Sequence, residues 1–153
     1  MKPIDGRPQK FIHPDLVEGQ IRLLSLRGGS ESDGVDCDLL IASLNDQVDY
    51  EALSYVWGDA RDTKPIRLCG QPFHVTVNLE SALRNLRQTD RPCILWVDAL
   101  CIDQGNVDER AKQVHIMGDI YRCSVANLIY IGDDDGTVGR ACLDFRHLLE
   151  EIR

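Results

Sequence analysis

Residues 96–121, Trp96-Val-Asp-Ala-Leu-Cys-Ile-Asp-Gln-Gly-Asn-Val-Asp-Glu-Arg-Ala-Lys-Gln-Val-His-Ile-Met-Gly-Asp-Ile-Tyr121, decide how this chain folds. The apolar run over 93–97 reads as a buried strand; Asp98 ends it before a polar loop, 101–106, that opens a helix. In open α/β sheets ligands lie outside the carboxyl ends of strands, so chemistry is expected at this junction. Steps of about 100° per residue place Val107, Ala111, Val114, Met117, Gly118 and Tyr121 on one helix face, with Arg110 among them. That face is expected against the sheet. A guanidinium keeps its charge, so Arg110 there needs a carboxylate or a ligand phosphate, and Asp98 is the nearest carboxylate in the chain. An Asp98–Arg110 pair is therefore expected, either fixing the junction or holding a ligand. Glu109 points the other way with Gln113, Ile116 and Ile120, a second stripe that calls for another helix or a partner. Glu109 also suits the positive end of the helix dipole.

Composition narrows the function classes. A chain of 153 residues is expected to form one domain with a core that needs no staples. Its net charge of −8, with no basic run, argues against a nucleic-acid partner, because phosphate binding needs clustered Lys and Arg. No apolar stretch reaches the roughly 18 residues of a membrane span, and the N-terminus lacks a signal-like apolar region, which together point to the cytoplasm. The six cysteines are widely spaced without a CxxC, so reduced buried thiols are expected rather than disulfides or zinc ligands. The Asp133-Asp134-Asp135 run does not have calcium-loop spacing and reads as a solvated helix cap, so no metal is expected.

The rest of the chain supplies the frame. Residues 1–19 hold three of the six prolines and read as an extended arm; residues 20–153 read as the domain. Runs 20–26 and 37–44, joined by a Gly-, Ser- and Asp-rich mobile loop, read as a hairpin. Residues 50–58, YEALSYVWG, read as a central strand, and 66–69 with 73–77 as a second hairpin. Asn78 is expected to cap a helix carrying Leu79, Ala82, Leu83 and Leu86, with Arg84 and Arg87 solvated outside. A third buried strand, 125–131, leads to an amphipathic helix from Val138 to Ile152 whose pattern is still running at Arg153, so its C-terminal helix is read as cut short. Strands separated by helices predict an α/β fold with a parallel central sheet, flavodoxin-like in outline, and antiparallel hairpins added to it. The strand ends at Trp57, Asp98 and Ile131 would then share one edge.

Three blocks carry a resemblance: Tyr50-Glu-Ala-Leu-Ser-Tyr-Val-Trp-Gly58; Val77-Asn78-Leu79 with Ala82-Leu83 and Leu86-Arg87; and Trp96-Val-Asp-Ala-Leu-Cys-Ile-Asp-Gln104 with Glu109-Arg110, Gln113-Val114, Met117 and Ile120-Tyr121. In this order they resemble the fungal heterokaryon incompatibility (HET) domain over about residues 20–132, with Asp103 where the family often has Asn. The resemblance implies a cytoplasmic module of programmed cell death in non-self recognition, working with an upstream recognition protein or further domains in cis. It also implies a distant similarity to Toll/interleukin-1 receptor (TIR) domains, some of which hydrolyse NAD. On that reading NAD is a substrate and no cofactor is needed. Glu109 or Asp98 is the catalytic carboxylate, and Arg110, Asp103, Gln104, Trp57 and Gly58 bind substrate. No Gly-rich dinucleotide fingerprint follows any strand, and the helix after the third strand offers only Asp144, Glu150 and Glu151. The competing reading is a non-enzymatic module that self-associates through Gln113, Ile116 and Ile120. A third is a cysteine hydrolase using Cys101 and His115.

Overall fold

The computed structural model describes residues 10–131. Strands β1 (Gln20–Leu26) and β2 (Asp36–Ser43) form an antiparallel hairpin in which Leu23 faces Leu40 and Leu26 faces Cys37. There follow β3 (Glu51–Tyr55), a second hairpin of β4 (Thr63–Leu68) and β5 (Gln71–Thr76), helix α1 (Val77–Leu86) and β6 (Cys93–Trp96). The single turn α2 (Asp98–Cys101), helices α3 (Val107–His115) and α4 (Met117–Cys123), and strand β7 (Ala126–Tyr130) complete the described chain. The three-Asp run and the helix expected beyond Val138 lie outside the described residues.

All strands join one sheet of seven in the order β5-β4-β2-β1-β6-β3-β7. The α/β class holds, but the sheet is mixed. β3 runs parallel to both β6 and β7, whereas β1 runs antiparallel to both β2 and β6. The first hairpin is thus no marginal addition, because β1 is the middle strand. Its Ile21, Leu23, Leu24 and Leu26 are buried on both faces, and a strand apolar on both faces is stable only inside a sheet with both sides covered. The β4–β5 turn sits at Cys69-Gly70, one residue earlier than expected. Both residues have positive φ (50° and 76°), as the two-residue turn that matches strand twist requires.

At the parallel end the carboxyl ends of β6, β3 and β7 share one edge. Successive residues of a strand face opposite sides, and neighbouring Ser54 and Tyr55 show which helix covers each side. The Ser54 hydroxyl meets Tyr121 of α4, while Tyr55 pairs in register with Tyr130, whose hydroxyl meets Ser81 of α1. The edge therefore opens between a helix on either face.

Two local readings change. Thr76, not Asn78, caps α1: its hydroxyl accepts the Leu79 N–H at 3.3 Å. Arg84 and Arg87 are not free surface charges. Their guanidinium groups donate to the carbonyls of Glu31, Asp33 and Gly34, tying the β1–β2 loop to α1.

Candidate functional site

The helix expected to run unbroken from residue 107 is interrupted at Ile116, whose φ and ψ of −98° and 5° leave the helical region. The face is misplaced already within α3, before that break. Val107 and Val114 are 66% and 55% exposed, and Arg110 and Ala111 are exposed beside them, whereas Gln113 and Ile120 are buried and Ile116 is half-buried. The stripe of Gln113, Ile116 and Ile120 assigned to a self-association interface thus serves the interior of the chain. Gln113 Nε2 donates to the Gln20 carbonyl at 3.1 Å, and Ile120 accepts the Tyr50 hydroxyl through its carbonyl.

What turns α3 is a buried cation on β1. Arg22, 1% exposed, must find anionic partners, because its charge cannot be relinquished. It holds Glu109 through two guanidinium nitrogens, one at 3.1 Å, and its Nη1 also donates to the Cys101 carbonyl at 3.1 Å. Nε donates to the Pro14 carbonyl at 2.9 Å, which fastens the N-terminal arm to the same point. Glu109 in addition accepts the Asp103 N–H at 3.0 Å, and Asn106 caps α3 by accepting the Glu109 N–H at 3.1 Å. Burial pushes the Glu109 carboxyl up, but hydrogen bonds from Arg22 and Asp103 and the Arg22 charge outweigh it and hold the pKa below the ordinary value. His13 closes the cluster, with Nε2 3.1 Å from the Leu100 carbonyl and Nδ1 3.8 Å from Asp103. Burial, then the nearby Arg22 charge, lowers its pKa.

The expected Asp98–Arg110 pair does not form. Arg110 reaches the Gln104 carbonyl at 3.4 Å from an exposed position, and Asp98 accepts the neighbouring Ala99 N–H at 2.8 Å. Asp98 stands at the carboxyl end of β6, half-buried, and burial raises its pKa against the pull of that N–H. Gln104 folds back on it by donating to the Asp98 carbonyl at 2.9 Å. Two phenols feel its charge from opposite faces. Burial, aided by Asp98, pushes Tyr55 up to about 12, and burial also raises Tyr121, whose hydroxyl lies 3.1 Å from Ser54 Oγ. Behind them Trp96 packs edge-on against Tyr121 at 5.5 Å, its buried indole N–H without a partner. Leaving such a donor unpaired costs about 1–3 kcal/mol, and among the described residues Gln113 Oε1 on α3 is buried without a partner in the same way.

The β3 end continues this edge. Trp57 stacks parallel on Tyr55, 6.2 Å between ring centroids, and stays 47% exposed. Gly58 has φ +70°, and a Cβ there would lie 2.8 Å from Asn78 Nδ2, which donates to the Val56 carbonyl at 2.9 Å. The structure puts Asp98 and Gln104 at the carboxyl end of β6, Arg110 on α3 beside Gln104, Trp57 and Gly58 just past the end of β3, and Glu109 and Asp103 in the Arg22 cluster. Sequence reasoning missed Arg22, His13, Tyr55 and Tyr121 and took Ser54 as an ordinary strand residue. Arg22 had a signal: one charge in QIRLLSL, an apolar run long enough to be a central strand.

Of the cysteine reading, Cys101 is fully buried with its thiol pushed up to about 12, chiefly by burial, and His115 is exposed. No disulfide links the five described cysteines, and no three His, Cys, Asp or Glu side chains among the described residues are placed to share a metal. No helix among them is long and apolar enough to cross a membrane.

The model of the family described as heterokaryon incompatibility protein (HET) matches residues 50–151, from the start of β3 onward. The chain belongs to the HET family. Heterokaryon incompatibility protein 6, OR allele, of Neurospora crassa is 33% identical over 135 residues, covering 77% of this chain. The chain spans 20% of that relative's length. No solved structure matches it. The HET match begins after β1 and β2, yet β1 is the middle of the sheet and supplies Arg22, so the physical unit is larger than the matched segment.

Proposed function

We propose that this HET domain is the death-signalling part of a cytoplasmic non-self recognition protein, and that on assembly it hydrolyses the nicotinamide–ribose bond of NAD at the carboxyl edge of β6-β3-β7. The observation that carries this reading is the contrast between two carboxylates: Glu109 is consumed by Arg22, whereas Asp98 keeps a raised proton affinity at an open edge lined by hydroxyls and an exposed indole. The C1′–N bond breaks with its electron pair leaving on nicotinamide. Asp98 faces the oxocarbenium-like carbon, and a water adds its oxygen to C1′ while losing a proton to Asp98 and then to solvent, giving ADP-ribose. Burial that lifts the Asp98 pKa improves it as the acceptor of that proton. Trp57 offers a stacking face for a base, and Arg110, exposed on α3 beside Gln104, would reach the diphosphate. The TIR similarity motivates the choice of substrate. A second reading, a non-enzymatic interaction module, draws on Val56 and Ile131, 55% and 66% exposed beside Trp57.

The test is incubation of the protein with NAD over a range of protein concentrations, with chromatography for nicotinamide and ADP-ribose. Release that rises faster than linearly with protein and vanishes in a folded Asp98→Asn variant is the expected result. No release at any concentration from folded protein rejects the hydrolase and leaves the interaction module. Release undiminished in Asp98→Asn removes Asp98 from the chemistry.

A further inference from the structure

Strand β2 is only partly covered on its outer side. β4 pairs with it at Asp36 and Cys37 alone and then turns away at Cys69-Gly70, so residues 39–43 form an open sheet edge. The ladder fixes where their backbone groups point. The Arg27 N–H donates to the Asp36 carbonyl at 2.9 Å, so the even-numbered residues of β2 face β1. The Val35 and Cys37 carbonyls accept the Arg67 and Cys69 N–H groups at 2.9 and 2.8 Å, so the odd-numbered ones face outward. The Leu39 N–H meets the Cys69 sulfur there at 3.4 Å, and the Ser43 N–H meets Asp46 at 3.1 Å. Among the described residues nothing pairs with the Ile41 N–H and carbonyl or with the Leu39 carbonyl. Leu40 and Ile41, on opposite faces of the strand, are each 45% exposed. An apolar edge with free backbone groups is a template for another strand, and proteins guard such edges with charge or proline. The end strand β5 carries Pro72; residues 39–43 carry neither guard.

We infer that residues 39–43 are a pairing site for a second copy of this chain, the two β2 edges running antiparallel about a two-fold axis at Ile41. Such an axis sets Ile41 opposite Ile41, where two facing residues exchange both N–H···O bonds, which is what its outward N–H and carbonyl require. Leu40 then lies opposite Ala42 of the copy, large against small, and Leu39 opposite Ser43. A copy fits because its own edge is uncharged and apolar over the same length, so no like charges meet within the paired run. The Cys69-Gly70 turn at one end and the turn capped by Asp46 at the other bound that run and fix its register. A strand pair this short buries less than the roughly 1,200 Å² of stable complexes, so the dimer is expected only at high concentration. The pairing supplies the assembly step of the proposed NAD hydrolysis and rests on that reading for its consequence. It is measured without NAD, so either can fail alone.

Amide exchange followed residue by residue by NMR, from low-micromolar to near-millimolar protein, reads this edge directly, with sedimentation velocity alongside. The Ile41 N–H, free in the single chain, is expected to exchange several-fold more slowly at high concentration as dimer appears. The Leu40 N–H, which faces β1, should not change. Ile41→Pro removes the outward N–H without touching the β1 ladder and should abolish the dimer. Ile41→Lys, which sets two like charges face to face at the axis, should do the same, and it decides alone if the proline variant fails to fold. Slow Ile41 exchange that is independent of concentration would mean that the edge is covered within the single chain, and fast exchange at every concentration that no copy binds; either overturns the inference. A dimer that survives in the folded variants overturns it as well.

Discussion

Two polar clusters flank the short turn α2, and they differ in how completely their groups are used. At the Arg22–Glu109 cluster every charged group has a charged or hydrogen-bonding partner, drawn from the arm, β1, the α2–α3 loop and α3. At the Asp98 edge the carboxylate is met by the backbone N–H groups of Ala99 and of Asp98 itself, two phenols feel its charge, and the indole behind them has no acceptor. Satisfied buried networks specify a shape, whereas unsatisfied ones cost stability and persist where something else uses them. The comparison ties Glu109 to the architecture, and it is on the proposed function alone that Asp98 becomes the reacting carboxylate.

The largest expected effect tests the first half of that contrast. Arg22→Leu strands the Glu109 carboxylate and the Pro14 and Cys101 carbonyls, and should cost about 3–5 kcal/mol in chemical denaturation, the penalty for breaking a buried ion pair from one side. A loss under about 1 kcal/mol, within the range of ordinary surface changes, would show that the cluster is not what holds α3. Gly58→Ala comes next. A positive φ and the close Asn78 amide should cost about 1–2 kcal/mol, read as a fall in unfolding midpoint, and an unchanged midpoint would mean that the β3 end is looser than drawn.

The two carboxylates should also titrate in opposite directions. Glu109 has a lowered folded pKa, so its contribution to stability is present above its unfolded value near 4.5 and is lost as pH falls through the folded value. Asp98 has a raised folded pKa, so its relative stabilisation is present below its unfolded value near 3.8 and is lost as pH rises through the folded value. Denaturation from acid to neutral pH should show wild type losing its advantage over Glu109→Gln on acidification. Against Asp98→Asn, wild type should instead lose ground as pH rises, with a difference at neutral pH of about 1 kcal/mol or less. Slopes of the same sign would erase the distinction. The smallest effect is that of Arg110→Ala, expected within about 0.5 kcal/mol of wild type because the side chain is exposed, while it weakens NAD turnover if Arg110 meets the diphosphate.

Most strands were legible in the sequence, because two-faced apolar runs bounded by Gly, Pro and Asp leave little choice of element. The chain read as residues 20–26 forms a strand with those same bounds, and Asp98 falls at a strand end as expected. The site was legible only in part. Asp98 and Trp57 do follow the carboxyl ends of neighbouring parallel strands, but the Asp98–Arg110 pair and the facing of α3 were misread. Local periodicity offered two stripes on that helix, and choosing between them needed the position of Arg22, 87 residues away in sequence from Glu109.

The sequence by itself determined the α/β class, the run of elements, the HET family and the junction at Asp98, since these depend on short-range pattern and on motifs contiguous in the chain. Only the tertiary structure decided that β1 lies at the centre of the sheet, that Glu109 is bound by Arg22, and that Tyr55 and Tyr121 lie within reach of the Asp98 charge. Those facts follow from which strands become neighbours and from where a buried charge finds its partner, and neither is written in any local stretch.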